Sequence, residues 1–304
     1  MAMESSLPLP VAQRARPATA LLAVLSWELR RLNASRFGWA VAGASFLFFA
    51  ALLWFKHSWN IQLVDGGARV AIVGSSAVGM LHELVFVLLL LYGMFLPFVA
   101  AEGVARDYKQ RVHELLMTTA IPSWAYIGGR YLAGLLVSLG LAGELLAVTW
   151  VVDTGLHLTI AAYPAPDLAA LLALWAITVL PATILLTSLS FALGALWPRR
   201  ATPIKLVILV GWVALAAVGE SHLPAWVAYW NPTSYSLAGA SETQLIQQAQ
   251  AITGTADRVA VAQALQMHLP DMQPWLLPHL GLIVVGIGLA VIAAAGFRRF
   301  RDVL

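Results

Sequence analysis

The chain has no cysteine among its 304 residues and few charged residues. The absence of cysteine excludes a disulfide framework, a thiolate nucleophile and a cysteine-ligated metal. Asp, Glu, Lys and Arg make up 11% of the residues, against about a quarter in a soluble domain, while 60% are hydrophobic. This shortage of charge predicts an integral membrane protein.

Sequence motifs of the common enzyme classes are also missing. The chain has no Gly-rich phosphate loop followed by Lys, so it cannot itself be a Walker-type ATPase. It has no Gly-x-Ser-x-Gly elbow, and neither His82-Glu83 nor His113-Glu114 has the two-His spacing of a zinc protease. We therefore expect no catalytic residues, no metal site and no cofactor bound by this chain.

Six apolar runs have the length, or nearly the length, that a helix needs to cross a hydrocarbon core of about 30 Å. They cover residues 37–55, 84–101, 131–152, 168–197, 203–219 and 276–297. The sequence thus predicts an all-α integral membrane protein with six transmembrane helices. Residues 1–20 are expected to form a flexible tail, and residues 21–304 a single transmembrane domain.

The positions of the basic residues predict the orientation of this bundle, because Lys and Arg favour the cytoplasmic side. If the N-terminus is cytoplasmic and the chain crosses the membrane six times, only Lys56, Arg69 and Arg258 of the 18 Lys and Arg residues lie on the outer side. Both termini are therefore expected in the cytoplasm, and the protein is expected to be a multi-pass protein of the cell membrane, a prokaryotic plasma membrane. The basic residues lie in short clusters at the ends of apolar runs, which gives no indication of a nucleic-acid partner.

An amphipathic helix is predicted before the first run, over Leu21–Arg36. Leucines recur there at three- to four-residue spacing on one face, with polar side chains opposite, as in a helix lying in the membrane interface. Two interpretations of this helix are equally good. It is a membrane-surface anchor whose basic pair attracts anionic lipid, or it contacts a partner protein. The residues of interest in this interfacial helix are Trp27, Glu28, Arg30 and Arg31.

An ion-rich segment, Glu102–Pro122, lies between the second and third runs and is called the island below. Its apolar residues recur at helical spacing with ions on the other face, which predicts an amphipathic cytoplasmic helix. Glu102 precedes Arg106, and Asp107 precedes Arg111, by four residues, the order in which acid and base stabilise a helix. The alternative is a solvated loop whose ions only keep it out of the membrane.

Glu144 lies near the middle of the third run, where an ionised carboxylate is costly and should face the bundle interior or a water-filled cavity. We interpret it as a substrate-pathway residue. The alternative is a protonated or hydrogen-bonded packing residue, paired with Ser138 or Thr149.

Two loops remain between the runs. Residues 56–79 are expected to form a loop with a turn at Asp65-Gly66-Gly67. The longest loop, between the fifth and sixth runs, is predicted to hold short helices over 241–253 and 255–269, preceded by a turn at Asn231 and Pro232.

These segments, in this order across six spans, resemble the permease subunit of ABC-2 type transporters. The residues that carry the resemblance are Trp27-Glu28-Leu29-Arg30-Arg31, the island with its Arg-Asp pair and Glu-Leu-Leu before Pro122, and Asn231-Pro232-Thr233-Ser234-Tyr235. It extends from about Leu21 to the C-terminus. The sequence departs from the family at Arg111-Val112-His113-Glu114, where many members have Gly-Thr before the Glu-bearing helix.

The resemblance implies a transport subunit, an exporter (efflux) in most members, that pairs with a second permease copy as a homodimer or heterodimer. ATP and Mg would be bound by a separate ABC ATPase subunit. The island would be the coupling helix that docks on this ATPase, through Glu102, Arg106, Asp107, Arg111 and Glu114. Two other functions stay open: a membrane-embedded enzyme using Glu144 or the His-Glu pairs, and a membrane scaffold or sensor subunit.

Overall fold

The computed structural model describes residues 17–63, 68–100, 102–109, 121–218, 224–252 and 254–297. The helices are α1 (Pro17–Asn33), α2 (Arg36–Phe55), α3 (Ala77–His82), α4 (Leu90–Ala100), α5 (Glu102–Lys109), α6 (Ser123–Thr159), α7 (Leu168–Leu196), α8 (Ala201–Val218), α9 (Ala225–Ala228), α10 (Tyr235–Gln250), α11 (Thr255–Leu265) and α12 (Gln273–Gly296). A π-helical segment, Glu83–Leu89, joins α3 to α4, and a 3₁₀ turn, Pro198–Arg200, precedes α8. Two strands, β1 (Ser58–Gln62) and β2 (Arg69–Val73), complete the described part of the chain.

Five helical segments in the described residues are long and apolar enough to cross a membrane. They correspond to the first, third, fourth, fifth and sixth predicted runs, and lie in α2, α6, α7, the 3₁₀ turn with α8, and α12. Large apolar side chains such as Leu47, Val207 and Val284 are exposed on their outer faces, as lipid-facing residues would be. The protein is therefore a helical, membrane-embedded protein.

The second predicted run is not one straight helix. Residues Ala77–Phe86 and Leu90–Asp107 meet at an angle of 41°, and they make a sixth span if the two halves are counted together. The bend falls in the π-helical segment, whose wider turn interrupts the regular hydrogen-bond ladder. This segment begins at Glu83, so the wide turn places a carboxylate inside the bundle.

The third predicted run is only the middle of α6, which extends over 37 residues from Ser123 to Thr159. A helix of this length is about 55 Å long, well beyond a hydrocarbon core of about 30 Å. Arg130 and Asp153 flank the predicted run, 131–152, and both are buried within the protein. Because their charges are buried against other elements, they do not end the helix.

A side-chain cap at Ser35 separates α1 from the first span. Ser35 Oγ accepts a hydrogen bond from the Gly38 N–H at 3.1 Å and so starts α2, while α1 ends at Asn33. The first helix also begins at Pro17, before the predicted start at Leu21. α1 is therefore a separate helix that packs along the N-terminal part of α6.

The expectation of an all-α fold omitted a β-hairpin. β1 and β2 pair antiparallel, with Ser58 opposite Val73 and Gln62 opposite Arg69. Ile61, Val70 and Ile72 are buried, and they alternate with exposed neighbours as in a strand with one face on a core. The hairpin replaces the loop predicted over 56–79, whose turn residues lie outside the described part of the chain.

The hairpin packs against α10 and α11, which lie where two loop helices were predicted, although α10 begins earlier, at Tyr235. Gln266, at the end of α11, is hydrogen-bonded to the hairpin. Its Oε1 accepts from the Val73 N–H at 3.1 Å, and its Nε2 donates to the Ala71 carbonyl at 3.2 Å. Gln250 Nε2 donates to the Leu63 carbonyl at 2.7 Å. We call this side of the molecule the hairpin end, and the side where α1 and α5 meet α6 the α1 end.

Candidate functional site

At the α1 end, the interfacial helix and the island both pack on α6. The closest approach of α1 to α6 is at Gly129, where a Cβ atom would lie 2.8 Å from Val24 Cβ and 3.0 Å from the Leu21 carbonyl oxygen. Val104 of α5 joins Val24, Tyr126 and neighbouring apolar residues in a small core. The absence of a side chain at Gly129 thus lets α1 lie close enough for its polar residues to reach α5 and α6.

Glu28 of α1 is the centre of an ion cluster, which we define as Glu28, Arg31, Arg106, Asp107 and Arg130. Arg106 Nη2 lies 3.2 Å from Glu28 Oε1, and Arg31 pairs with the same oxygen from one turn along α1. Arg130 Nη1 pairs with the other oxygen, Glu28 Oε2. One carboxylate therefore joins arginines from three different helices.

Asp107 completes the cluster from the island. Its Oδ2 atom pairs with Arg130 Nη2 and also accepts a hydrogen bond from the Tyr126 hydroxyl. The Arg130 guanidinium thus binds Glu28 through one terminal nitrogen and Asp107 through the other. The planar fork of arginine permits such a bridge, which the ammonium group of lysine would not reproduce.

Aromatic rings cover the guanidinium of Arg130. Its Cζ atom lies 5.0 Å from the ring centroid of Trp27 and 5.6 Å from that of Tyr126. These distances allow cation–π attraction, which is stronger where water is excluded. Trp27 itself is exposed on its outer side, so it also forms part of the protein surface.

The cluster is buried to different degrees. The side chains of Arg130, Asp107 and Glu28 are 2%, 5% and 6% exposed, whereas those of Arg106 and Arg31 are 25% and 32% exposed. Breaking a buried ion pair by removing one partner typically costs ~3–5 kcal/mol, because a charge is left without compensation. Arg130, Asp107 and Glu28 therefore hold the three helices together, while Arg106 and Arg31 remain accessible from outside.

This arrangement brings together two sequence segments that were considered separately. Glu28 and Arg31 of the interfacial helix meet Arg106 and Asp107 of the island, whereas Arg30 is exposed and Trp27 covers the cluster. The side chains of Glu102, Arg111 and Glu114 lie outside the described part of the chain. The predicted pairs of Arg106 with Glu102 and of Asp107 with Arg111 therefore stay predictions.

Glu144 is half-buried on α6 and accepts a hydrogen bond from Ser45 Oγ of α2 at 2.6 Å. The partners considered from the sequence have other positions: the Thr149 hydroxyl donates to the Leu145 carbonyl, and Ser138 Oγ has no partner among the described residues. Glu144 thus faces the first span, and its role in a substrate pathway stays a prediction.

Asn231 and Pro232 lie in the turn before α10. Asn231 is buried, its Nδ2 donates to the Leu215 carbonyl at 3.1 Å, and its Oδ1 accepts from the Thr233 N–H and hydroxyl. The asparagine therefore stabilises the turn and attaches it to α8.

A second polar group lies at the hairpin end, around Glu83. Glu83 is close enough to Asp153 of α6 for their charges to interact. The Tyr163 hydroxyl accepts from the Ser75 N–H at 3.2 Å and lies 3.2 Å from Asp153 Oδ1. A Cβ atom at Gly74 would overlap Glu83 Oε1 and lie 2.9 Å from Tyr163 Oη, so these oxygens converge on one glycine.

The environment of Tyr163 keeps its hydroxyl protonated. Tyr163 lies in the loop between α6 and α7 and is buried. Burial, followed by the negative charges of Asp153 and Glu83, raises the pKa of the Tyr163 phenol. Its hydroxyl therefore stays protonated throughout the neutral range and can donate to Asp153 Oδ1.

A pocket of about 360 Å³ opens beside Glu83 and is called the Glu83 pocket below. It does not resemble a metal site, because the described residues contain no group of three or more His, Asp or Glu side chains placed to hold a metal ion. Its lining residues are Lys56, Ser58, Trp59, His82, Glu83 and Phe86.

Neither Arg130 nor Asp153 was predicted from the sequence to be a partner in these two sites. Both lie just outside the predicted third run, where a charge was taken to mark the end of a span. Tyr126 and Tyr163 were also missed. One feature of the sequence could have identified Arg130 and Asp153: they are the charged residues nearest to the two ends of that run.

Comparison with known proteins found no family model that matches the chain and no curated protein that matches it.

Proposed function

We propose that the chain is the membrane-spanning permease subunit of an ABC-2 type transporter, an exporter driven by a separate ATPase. The observation that supports the proposal is the ion cluster. The segment expected to receive the ATPase is attached to α6 by the buried pair of Asp107 with Arg130, and to α1 by the pair of Arg106 with the buried Glu28. A solvated loop that only avoids the membrane would need no such attachment.

The ion cluster gives the island mechanical connections suited to coupling. Asp107 and Arg130 join the island to α6, whose length from Arg130 to Asp153 is about 35 Å. Packed helices that move as rigid bodies carry a displacement from one end to the other. A push on the island from the cytoplasm would therefore move α6 as far as the hairpin end.

In this proposal the island residues have two different roles. Asp107 is buried, so it holds the island to α6 rather than contacting a partner. Arg106 is partly exposed and is available to the ATPase surface, together with Glu102, Arg111 and Glu114 as predicted from the sequence. ATP and Mg are bound by the ATPase, and a second permease copy or paralogue completes the complex in the cell membrane.

The experiment is co-purification of the tagged full-length chain with a Walker-A ATPase encoded by a neighbouring reading frame. We expect a complex of two permease and two ATPase copies, and stimulation of ATP hydrolysis after reconstitution into lipid nanodiscs. Absence of both binding and stimulation would contradict the proposal.

Two variants distinguish binding of the ATPase from transmission of its movement to α6. Arg111→Glu is expected to weaken ATPase binding, because it reverses a charge predicted to face the partner. Asp107→Asn is expected to leave binding in place and to reduce stimulation, because it removes one attachment of the island to α6. Arg36→Gln, at an exposed arginine outside the cluster, is the matched control and should leave both measurements unchanged.

A further inference from the structure

The Glu83 carboxylate is buried beside the Glu83 pocket, and the described part of the chain gives it no hydrogen-bond partner. The residue is 2% exposed, and neither Oε1 nor Oε2 has a partner among the described residues. An isolated carboxylate in such surroundings is costly, so the group takes up either a proton or a cation. The pocket beside it offers the space for a cation.

The other pocket walls suit the apolar part of such a cation. Trp59 and His82 have ring centroids 5.0 Å apart, and His82 stacks on Phe86 at 4.8 Å. Aromatic faces attract cations whose substituents are apolar, and tryptophan does so best. All three rings line the pocket together with Glu83, so the parts of the rings that do not contact one another border the same space.

The charges around the pocket also favour a cation. Asp153 lies near Glu83, and Glu242 lies 3.5 Å from His82 Nε2. These three carboxylates are negative, whereas the lining residue Lys56 is positive, and its exposed side chain lies on the rim of the pocket. No salt bridge joins Lys56 to Glu83 among the described residues, so the carboxylate keeps its capacity to pair.

The chemistry of the walls excludes a hard metal ion. Calcium needs about six to eight oxygen ligands and magnesium a near-octahedral set, whereas this pocket offers one carboxylate among aromatic rings. Its volume of about 360 Å³ lies at the lower end of the range of about 300–1,000 Å³ for small-molecule sites.

We infer that the Glu83 pocket binds a small organic ammonium ion whose charge lies beside Glu83 and whose apolar groups lie against Trp59 and Phe86. The inference depends on the pocket and not on the transport function proposed above. Binding is therefore measured on the chain without any ATPase.

The experiment is equilibrium binding of radiolabelled benzyltrimethylammonium to the full-length chain in detergent or nanodiscs. We expect saturable binding that unlabelled benzyltrimethylammonium displaces and that neutral N,N-dimethylbenzamide, of similar size, does not. Equal displacement by the neutral compound would overturn the inference, because the pocket would then recognise only apolar bulk. This comparison uses the unaltered protein and needs no folded variant.

Variants then locate the site. Glu83→Gln should weaken binding about tenfold or more, since the amide keeps the shape but removes the charge. Trp59→Leu should weaken it several-fold, whereas Trp59→Phe should retain most of it. Asp271→Asn, at an exposed acid outside the pocket, is the matched control. Unchanged binding in a folded Glu83→Gln variant would overturn the inference.

Lys56 provides the last test, because its own ammonium group competes for the pocket. Lys56→Gln should bind the probe more tightly than the unaltered protein, since a like charge at the rim is removed. Binding seen in Lys56→Gln and absent from the unaltered protein would instead assign the pocket to Lys56 and overturn the inference.

Discussion

Glu28 and Arg130 lie 102 positions apart in the chain and form an ion pair in which both side chains are buried. Through its other terminal nitrogen, Arg130 also neutralises Asp107. A single guanidinium therefore compensates carboxylates from α1 and from the island. Its loss would leave Asp107 without its described ion partner, and Glu28 with only the partly exposed Arg31 and Arg106.

Arg130→Met should lower the free energy of unfolding by ~3–5 kcal/mol, because Glu28 and Asp107 lose their buried counter-ion. Unfolding in mixed micelles with increasing SDS measures the change. Arg36→Met, at an exposed arginine, should stay within about 0.5 kcal/mol. Equal effects of the two substitutions would contradict the buried position of Arg130.

Glu28→Gln and Arg130→Met should not be additive. Each substitution alone removes one counter-ion from a buried charge that stays in place, whereas the double variant removes both members of the pair, so its loss of stability should be smaller than the sum by about 0.5–3 kcal/mol. The four unfolding free energies of a double-mutant cycle give this coupling directly. Additivity would mean that the two side chains do not interact in the folded protein.

Gly129→Ala should destabilise the chain by about 1–3 kcal/mol, because the added Cβ would lie 2.8 Å from Val24 Cβ and push α1 away from α6. Gly134→Ala is the matched control in the same helix, because a Cβ there meets nothing within 4 Å. It should raise stability by about 0.5–1 kcal/mol, since alanine favours helix over glycine. Thermal unfolding of both variants tests the sign of each effect.

Glu83→Gln and Asp107→Asn should have different consequences for stability, although both neutralise a buried acid. Glu83 has no described hydrogen-bond partner or counter-ion, so the amide should leave the free energy of unfolding unchanged or raise it. Asp107→Asn leaves Arg130 with one fewer counter-ion and should cost about 3 kcal/mol. Equal losses in SDS unfolding would show that Glu83 has a stabilising partner.

Tyr163→Phe should destabilise the chain by about 1–3 kcal/mol near neutral pH, since the Ser75 N–H loses its acceptor. The pKa of Tyr163 is raised in the folded protein, so its stabilising contribution is complete below the unfolded tyrosine pKa, about 10, and falls as the pH rises beyond it. The difference in unfolding free energy between the unaltered protein and Tyr163→Phe should therefore shrink above about pH 10. A difference that grew with pH would contradict the raised pKa.

The positions of the spans could be predicted because a membrane demands about 20 apolar residues in succession, and that demand can be read from composition alone. α2, α7 and α12 begin or end within a few residues of the predicted runs. α6 was predicted too short, because a charged residue was taken to mark the membrane boundary. Arg130 and Asp153 continue the helix instead, since other elements cover both side chains.

The hairpin at Ser58–Val73 shows a different limit of prediction from the sequence. Its buried residues alternate over only a few positions, and so short a pattern is easily taken for a loop. Its stability comes from packing on α10 and α11 and from Gln250 and Gln266, which lie far along the chain. Contacts of this range cannot be read from local periodicity.

The sequence by itself determined that the chain is helical and embedded in a membrane, because hydrophobic length and the scarcity of charge are local properties. It also drew attention to the interfacial helix and the island as places where charge is concentrated. Only the tertiary structure decided which charges meet: Glu28 with Arg130 and Arg106 at one end, and Glu83 near Asp153 at the other. The physical reason is that pairing of buried ions depends on helix packing between residues distant in the chain, which no spacing within one helix specifies.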